Sequence, residues 1–582
     1  MSRTPNLPPQ KKYGSYLVKS DSMGFDSDDG YVPVTFGFAW IREAICDPQT
    51  KQISYLVQIE PLVGEGSTIR VEAKDFTNSR LTIILGNHGV IVRVSSEVQR
   101  MLAATAVHGT YLEKEPRILI DQPGWFANGK GFYTGNDVVL EQSLQEKAFR
   151  FEPVHAAPFA VSGTQGDWWE NVGQHIARNP VALGATMVGL SSPYLQQAGL
   201  GSRMFCFWGP KGCGKTLIVQ CAASVFGNGV DPAAGSYAAN VPYVTKFSTT
   251  INGIEPLLAR YSPMFVALDE LTEQQGAFMG ELAYKISSGE GKHRMTSHLK
   301  SAKANRWQLM VMTTSEKPLE EILAVGGKKI YGGMLDRAID VPVGAQGIFT
   351  DFGDFDSFKA LTRHLKAACS QYYGAPGKAL LEFTVNNPEV VAQRLAEASE
   401  IEERLLPAGC GDGERRVVKS FAVAEAIGKL AVDAGILRCD ETVLEAASQT
   451  MVDAWWFSRG SALRTVAEYL ADHDERIAYE APSLLSRAKA FVFDDKVIIP
   501  EGEFFKEFGP DKGTKLIQEL TTLNALLRDT SNANRTKRRF CNNRLWAYVI
   551  PMDRILPYLE QVMAMRENEP DAKPDELDAS FD

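Results

Sequence analysis

Residues 209–216 read Gly-Pro-Lys-Gly-Cys-Gly-Lys-Thr, and the architecture of the chain turns on them. The stretch is G-x-x-x-x-G-K-T, a phosphate-binding loop in which each position has a chemical task. Gly209, Pro210, Lys211, Gly212, Cys213 and Gly214 wrap a nest of main-chain N–H donors around phosphate oxygens. Lys215 reaches the β and γ phosphates, and the Thr216 hydroxyl is placed to ligate Mg²⁺. Leu217 begins the apolar face of a helix whose N-terminus faces the same anion. The flanks agree. Met204-Phe-Cys-Phe-Trp208 reads as a buried strand, and Leu217 to Phe226 as the following helix. The competing reading is a glycine-rich turn that binds nothing, and the next segments argue against it.

A phosphate loop alone binds nucleotide, whereas hydrolysis also needs a metal carboxylate and a base. Pro263-Met-Phe-Val-Ala-Leu-Asp-Glu270 offers both at the end of an apolar strand, about one βαβ unit downstream. Asp269 is expected to hold Mg²⁺ through water, and Glu270 to polarise the attacking water. A third strand, Trp307 to Ser315, ends in hydroxyls. Thr314 or Ser315 is expected to touch the γ phosphate or the lytic water, against the alternative of a merely polar strand end. Arg337 precedes a fourth short apolar run. Ring ATPases carry an arginine at this place, and that likeness implies that it reaches a neighbouring subunit's γ phosphate, against the alternative of a surface pair with Asp336 or Asp340. This order of segments is the AAA+ layout. It predicts a multidomain α/β protein that hydrolyses ATP with Mg²⁺ as a ring, most simply a hexamer.

Further residues carry a family resemblance. They are Gly124-Trp125 in a β-rich lead, Thr249, Thr250, Asn252, Gly253 and Glu255 before the Asp-Glu strand, and Gly289-Glu-Gly-Lys-His-Arg294 before Trp307. Thr314-Ser315-Glu316, Arg416 and Phe421, and Trp455-Trp456 complete the set. Over residues 30–456 the chain resembles a phage and mobile-element AAA+ family long catalogued as a domain of unknown function. That family includes the Cch-type helicases of cassette chromosome elements and is related to the MCM helicases. The resemblance implies an ATP-dependent DNA helicase or translocase, a replicative helicase or initiator of a mobile element or phage. Its partners would be DNA, its own copies, and replication proteins of the host or element. The sensor strand lacks the Asn of many AAA+ proteins.

Composition sets the frame. The 582 residues suffice for three or four domains of about 150 residues each. At 44% hydrophobic and 23% charged, the chain has an ordinary globular balance. No apolar run approaches the ~20 residues of a membrane span. Eight cysteines stand singly, which points to a reducing cytoplasm and away from zinc. The formal net charge is −10, so a nucleic-acid surface requires its cations to be grouped.

They are grouped twice. Lys292, Arg294, Lys300, Lys303 and Arg306 lie between a helix and the third strand, where related helicases carry a pore hairpin. Arg535, Lys537, Arg538 and Arg539, flanked by Arg528 and Arg544, interleave with Phe540 and Trp546 in a pattern of two helices and two strands that reads as a winged helix. Both groups are expected to follow a phosphate backbone, and the aromatics to stack on bases. The expected organisation is a flexible lead (1–30), a β-rich domain (31–165), the ATPase core with its helical lead-in (166–345), a helical lid and connector (346–480), the winged helix (481–556) and an acidic tail (557–582). Within the β-rich domain, Leu81-Thr-Ile-Ile-Leu85 reads as a strand, and a helix is expected near Ser96–His108. The alternative function is an AAA+ NTPase remodelling a protein partner. No aromatic–apolar–Gly pore loop supports it.

Overall fold

The computed structural model describes residues 8–109, 115–154, 157–231, 242–246, 251–271, 276–291, 304–319, 321–322, 336–344, 347–407, 410–459, 461–473, 477–478, 488–522, 525–527, 535–540 and 543–567. The chain divides into two compact units, Met1–Ala157 and Pro158–Asp582.

Alternation of apolar and polar residues builds the first unit. Strands Gly30–Phe36, Phe38–Cys46 and Ile53–Glu60 follow the periods visible in the sequence. They belong to two five-stranded sheets, and a third sheet of three short strands carries Gly124–Phe126. Residues 12–27, expected within a loose lead, form three short strands that bury Tyr13 and Met23. Leu81–Leu85 is a correction. It lies in the helix Asn78–Asn87, not in a strand. Only Leu81 and Leu85 of that helix are buried, four residues apart, while Ile83 between them is 59% exposed. A strand would have placed Leu81, Ile83 and Leu85 on one face, so helical period and burial decide together. The expected second helix runs Val98–His108.

The second unit is organised around a five-stranded sheet. Its strands are β1 (Arg203–Trp208), β2 (Val244–Lys246), β3 (Val266–Leu271), β4 (Met310–Ser315) and β5 (Ala338–Pro342). Their spatial order is β2-β3-β4-β1-β5, with every adjacent pair parallel. Parallel strands need crossovers and are covered on both faces, which is why they read as unbroken apolar runs. All six residues of β4 are buried. On one side lies α1 (Pro180–Ser191), buried over nearly its whole length. Pro180 starts it, since proline suits the first helical turn. The helix after the glycine loop, α2 (Lys215–Ala223), is likewise buried from Leu217 onward. Helices α3 (Ile251–Tyr261) and α4 (Gly276–Ser288) lie between β2 and β4 in sequence, and α5 (Phe358–Gln371) packs on α2 after β5.

A helical layer follows, dominated by α6 (Asp412–Asp433) and α7 (Glu441–Arg459). Gly435, at φ +69°, turns the chain between them. A separate apolar core then gathers the helix Ser461–Asp472, the hairpin Ala490–Phe493/Lys496–Pro500, the helical segment Glu501–Thr522 and the helix Met552–Glu567. Gly509, at φ +70°, kinks Glu501–Thr522 before Pro510, so it acts as two helices. Strands Thr536–Phe540 and Asn543–Pro551 then pair antiparallel. Residues 568–582, most of the acidic tail, lie outside the described residues. No helix among the described residues is long and apolar enough to cross a membrane.

Candidate nucleotide site

The carboxyl ends of β1, β3 and β4 carry the residues that the motifs single out. In an open parallel sheet this edge is where ligands bind, because the loops leaving it diverge around a crevice. The loop after β1 turns through Gly212 (φ +81°) and Gly214 (φ +95°), conformations that cost a side-chain-bearing residue heavily. At Gly209 a β-carbon would come within 2.6 Å of the Val343 carbonyl oxygen, so this position must stay bare.

The side chains of Thr216, Asp269 and Thr314 meet here. The Thr216 hydroxyl donates to Asp269 Oδ1 at 3.2 Å. The Thr314 hydroxyl donates to the same oxygen at 2.6 Å. The Glu270 backbone N–H donates to Thr314 Oγ1 at 3.0 Å. Asp269 is 9% exposed and thus largely dry. Lys215 Nζ donates to the carbonyls of Gly209 and Pro210 at 2.7 and 2.6 Å, which holds it over the loop. Glu270 has φ +66°, a left-handed conformation that is uncommon outside glycine. The register between β3 and β4 shifts at this point, between Leu268 and Leu271. The shift turns adjacent acids at a strand end to different surroundings: Asp269 is buried, while Glu270 is exposed. Strain of this kind costs about 1–3 kcal/mol and tends to cluster at functional sites.

Ser315 turns elsewhere. Its hydroxyl donates to the Lys317 carbonyl at 2.6 Å and lies 3.2 Å from Cys206 Sγ. Of the two hydroxyls considered for this strand end, Thr314 is the one that touches Asp269. Cys213 is buried, with its sulfur 3.7 Å from Lys215 Nζ, and fits the loop. These groups open onto a cavity of about 760 Å³. That is the size of a pocket that encloses a cofactor-sized ligand. Phe358, Thr362, Lys366, Asp231 and Lys246 also line it. No motif marks these five in the sequence. Only the four-residue spacing of Phe358, Thr362 and Lys366 could have flagged a shared helical face.

Arg337 lies at the opposite edge of the sheet, one residue before β5. Its guanidinium sits 4.8 Å from the Tyr284 ring centre. Arg203, at the start of β1, is nearby. Burial, with Arg337 and Arg416 as like charges, lowers its pKa. Asp336 pairs with Arg459 at 3.3 Å, and Asp340 accepts the Leu319 N–H at 2.8 Å.

Lys292, Arg294, Lys300 and Lys303 lie outside the described residues, as do Thr249 and Thr250. The base of their insert is described. Glu290 and Arg306 form an antiparallel bridge and an ion pair at 3.3 Å. Beneath it, Lys285 and Glu255 make a buried ion pair at 2.6 Å. In the C-terminal region Arg535 pairs with Glu501 and stacks 4.6 Å over Trp546. Lys537, Arg538 and Arg539 lie on the strand Thr536–Phe540, and their side chains lie outside the described residues.

Residues 33–307 match a family described as "Domain of unknown function (DUF927)". No curated protein matches the chain. Among solved structures, one described as "SCCmec type IV Cch - active helicase" aligns at a TM-score of 0.58 and 15% identity, over 94% of this chain and 99% of that one. Another, described as "The A form apo structure of NrS-1 C terminal region-CTR", aligns at a TM-score of 0.25 and 10% identity, over 67% of this chain and 87% of that one. The glycine loop, the Asp-Glu strand and two of the other sheet strands thus fall within the region that matches the DUF927 model, and the chain shares the overall fold of the Cch helicase structure.

Proposed function

We propose that the chain is an AAA+ ATPase acting as a DNA helicase or translocase of a mobile element or phage. One observation carries the reading: the Thr216 and Thr314 hydroxyls converge on a single oxygen of Asp269, beside the strained Glu270. The strand order β2-β3-β4-β1-β5 supports the AAA+ assignment, as it sets the loop strand between the Thr314 strand and the Arg337 strand. Oxygen donors are what Mg²⁺ prefers, and one or two protein ligands beside phosphate are its usual share. Thr216 and Asp269 fit that role. When bound, the ion neutralises charge on the β and γ phosphates. The chain's own groups do the rest. The loop N–H donors and Lys215 hold the phosphates, Thr314 fixes the Asp269 carboxylate, and Glu270 orients and deprotonates the attacking water.

The DNA part rests on the two cationic groups and on the fold shared with the Cch helicase structure. The kinked helix pair around Gly509, followed by an antiparallel hairpin with four cations on or before its first strand, supports a winged helix contacting phosphate. The test is Glu270→Gln. It should keep ATP affinity within about threefold while turnover falls by about a hundredfold or more, since general-base loss costs about 10²–10⁴. Single-stranded DNA should stimulate the parent's turnover. A Glu270→Gln variant that hydrolyses ATP at the parental rate defeats the ATPase assignment. A parent indifferent to DNA of either form returns the protein-remodelling alternative.

A further inference from the structure

The phosphate loop accounts for only part of the 760 Å³ cavity. The remainder has a different chemistry. Phe358, Thr362 and Lys366 recur every four residues along α5, so they share one face, and all three line the cavity. Phe358 packs directly on the loop, its ring 3.5 Å from where a β-carbon on Gly214 would lie. Phe349 stacks on the same ring, with centres 6.4 Å apart and planes 28° from parallel. The Thr362 hydroxyl is buried and has no hydrogen-bond partner among the described residues. A helical threonine ordinarily returns its hydroxyl to the carbonyl four residues back, so this donor and acceptor is left for something else. Lys366 holds Asp231 at 3.9 Å.

The position of Asp231 follows from the helix packing. Cys369 on α5 and Cys221 on α2 are both buried, their sulfurs 3.8 Å apart. The Gly229 N–H donates to the Cys369 carbonyl at 3.1 Å, which draws the segment leading to Asp231 along α5. A carboxylate is the wrong group for a phosphate and the right one for a hydroxyl pair. An aromatic face and an unspent hydroxyl suit a base.

We propose that Phe358, Thr362 and Asp231 form the nucleoside subsite of this cavity, with the base against Phe358, its edge on the Thr362 hydroxyl and the ribose hydroxyls on Asp231. This rests on the nucleotide reading above and extends it from the phosphates to the ribonucleoside.

Calorimetric titration of the full chain separates the two. The ligands are ADP, 2′,3′-dideoxy-ADP and inorganic tripolyphosphate, none of which requires turnover. Phe358→Ala should weaken ADP about tenfold, a usual loss for a stacked base, and leave tripolyphosphate unchanged. Thr362→Val, which keeps shape, should weaken ADP several-fold with tripolyphosphate again unchanged. The parent should favour ADP over the dideoxy analogue about tenfold, and Asp231→Asn should erase that preference. Variants that bind ADP like the parent overturn the subsite while the nucleotide reading stands. Equal losses for ADP and tripolyphosphate also overturn it, since the residues would then serve only the loop. Equal weakening of both nucleosides by Asp231→Asn removes the ribose assignment. A parent that binds neither ADP nor tripolyphosphate takes the nucleotide reading down as well.

Discussion

At the scale of single residues, Thr314 is the group that the sequence left undecided. Both it and Ser315 end β4, and alternation sends neighbouring side chains to opposite faces. The Thr314 hydroxyl contacts Asp269 Oδ1 and receives the Glu270 N–H, so it ties the two acids of β3 together. Ser315 is committed to the Lys317 carbonyl. Thr314→Ala should therefore lower kcat by about 10–100-fold, the usual effect of removing a partner that orients a metal-site carboxylate. Ser315→Ala should change it by less than about threefold. Steady-state ATPase assays with Mg²⁺ check both, and thermal unfolding of the two variants confirms that neither has lost the fold. The reverse ranking would put the catalytic contact on Ser315. The left-handed Glu270 was not legible in sequence at all, because it arises from a register shift between two strands.

At the scale of elements, the notable feature is the ion pair between α3 and α4. Glu255 and Lys285 are 3% and 7% exposed at the side chain, 2.6 Å apart. Gly291, where the basic insert begins, lies so close that a β-carbon there would be 2.9 Å from Glu255 Oε2. Removing one partner takes the opposite charge away from a buried ion, and breaking a buried pair in this way costs about 3–5 kcal/mol. Lys285→Met should thus greatly reduce hydrogen-exchange protection in α3 and α4. Adding Glu255→Leu should restore part of it. If the double variant is no better protected than the single, the pair does not stabilise this packing.

The helix Gln174–Ala177 offers a pH test. His175 is 7% exposed, with rings of Phe355 and His364 at 5.4 and 5.3 Å. Burial, then His364 and Arg178, push its pKa below the ordinary 6.5, against the weaker opposing pull of Asp354 and Asp351. The unfolded chain then binds a proton that the folded chain refuses. Stability should rise with pH over this window and be lost as pH falls through about 6.5. His175→Gln should flatten that part of the stability profile in thermal unfolding scans from pH 8 to 5.5. An unchanged slope would assign the acid sensitivity elsewhere.

At the scale of the whole molecule, the sheet separates Arg337 from the proposed nucleotide site of its own chain. Five parallel strands put Asp269 and Thr314 at one edge and Arg337 at the other. A strand of five residues spans about 17 Å. An arginine there cannot reach phosphates held at the proposed site of its own chain, so any catalytic role would belong to a neighbouring copy. Arg337→Ala and Glu270→Gln chains, each inactive alone, should regain ATPase activity when mixed in one assembly. Absence of rescue in assemblies shown by mass to contain both would rule out a catalytic role for Arg337 across subunits. The sequence by itself determined the glycine loop, the Asp-Glu strand, the order of the core segments and the helices after Thr216 and near Ser96–His108. Those rest on local spacing, apolar period and glycine chemistry, which are written along the chain. Only the tertiary structure decided which hydroxyl meets Asp269, why Leu81–Leu85 is a helix, and that α5 brings Phe358 and Thr362 over the loop. Those depend on strand register and on which faces are buried, and burial is a property of elements packed together.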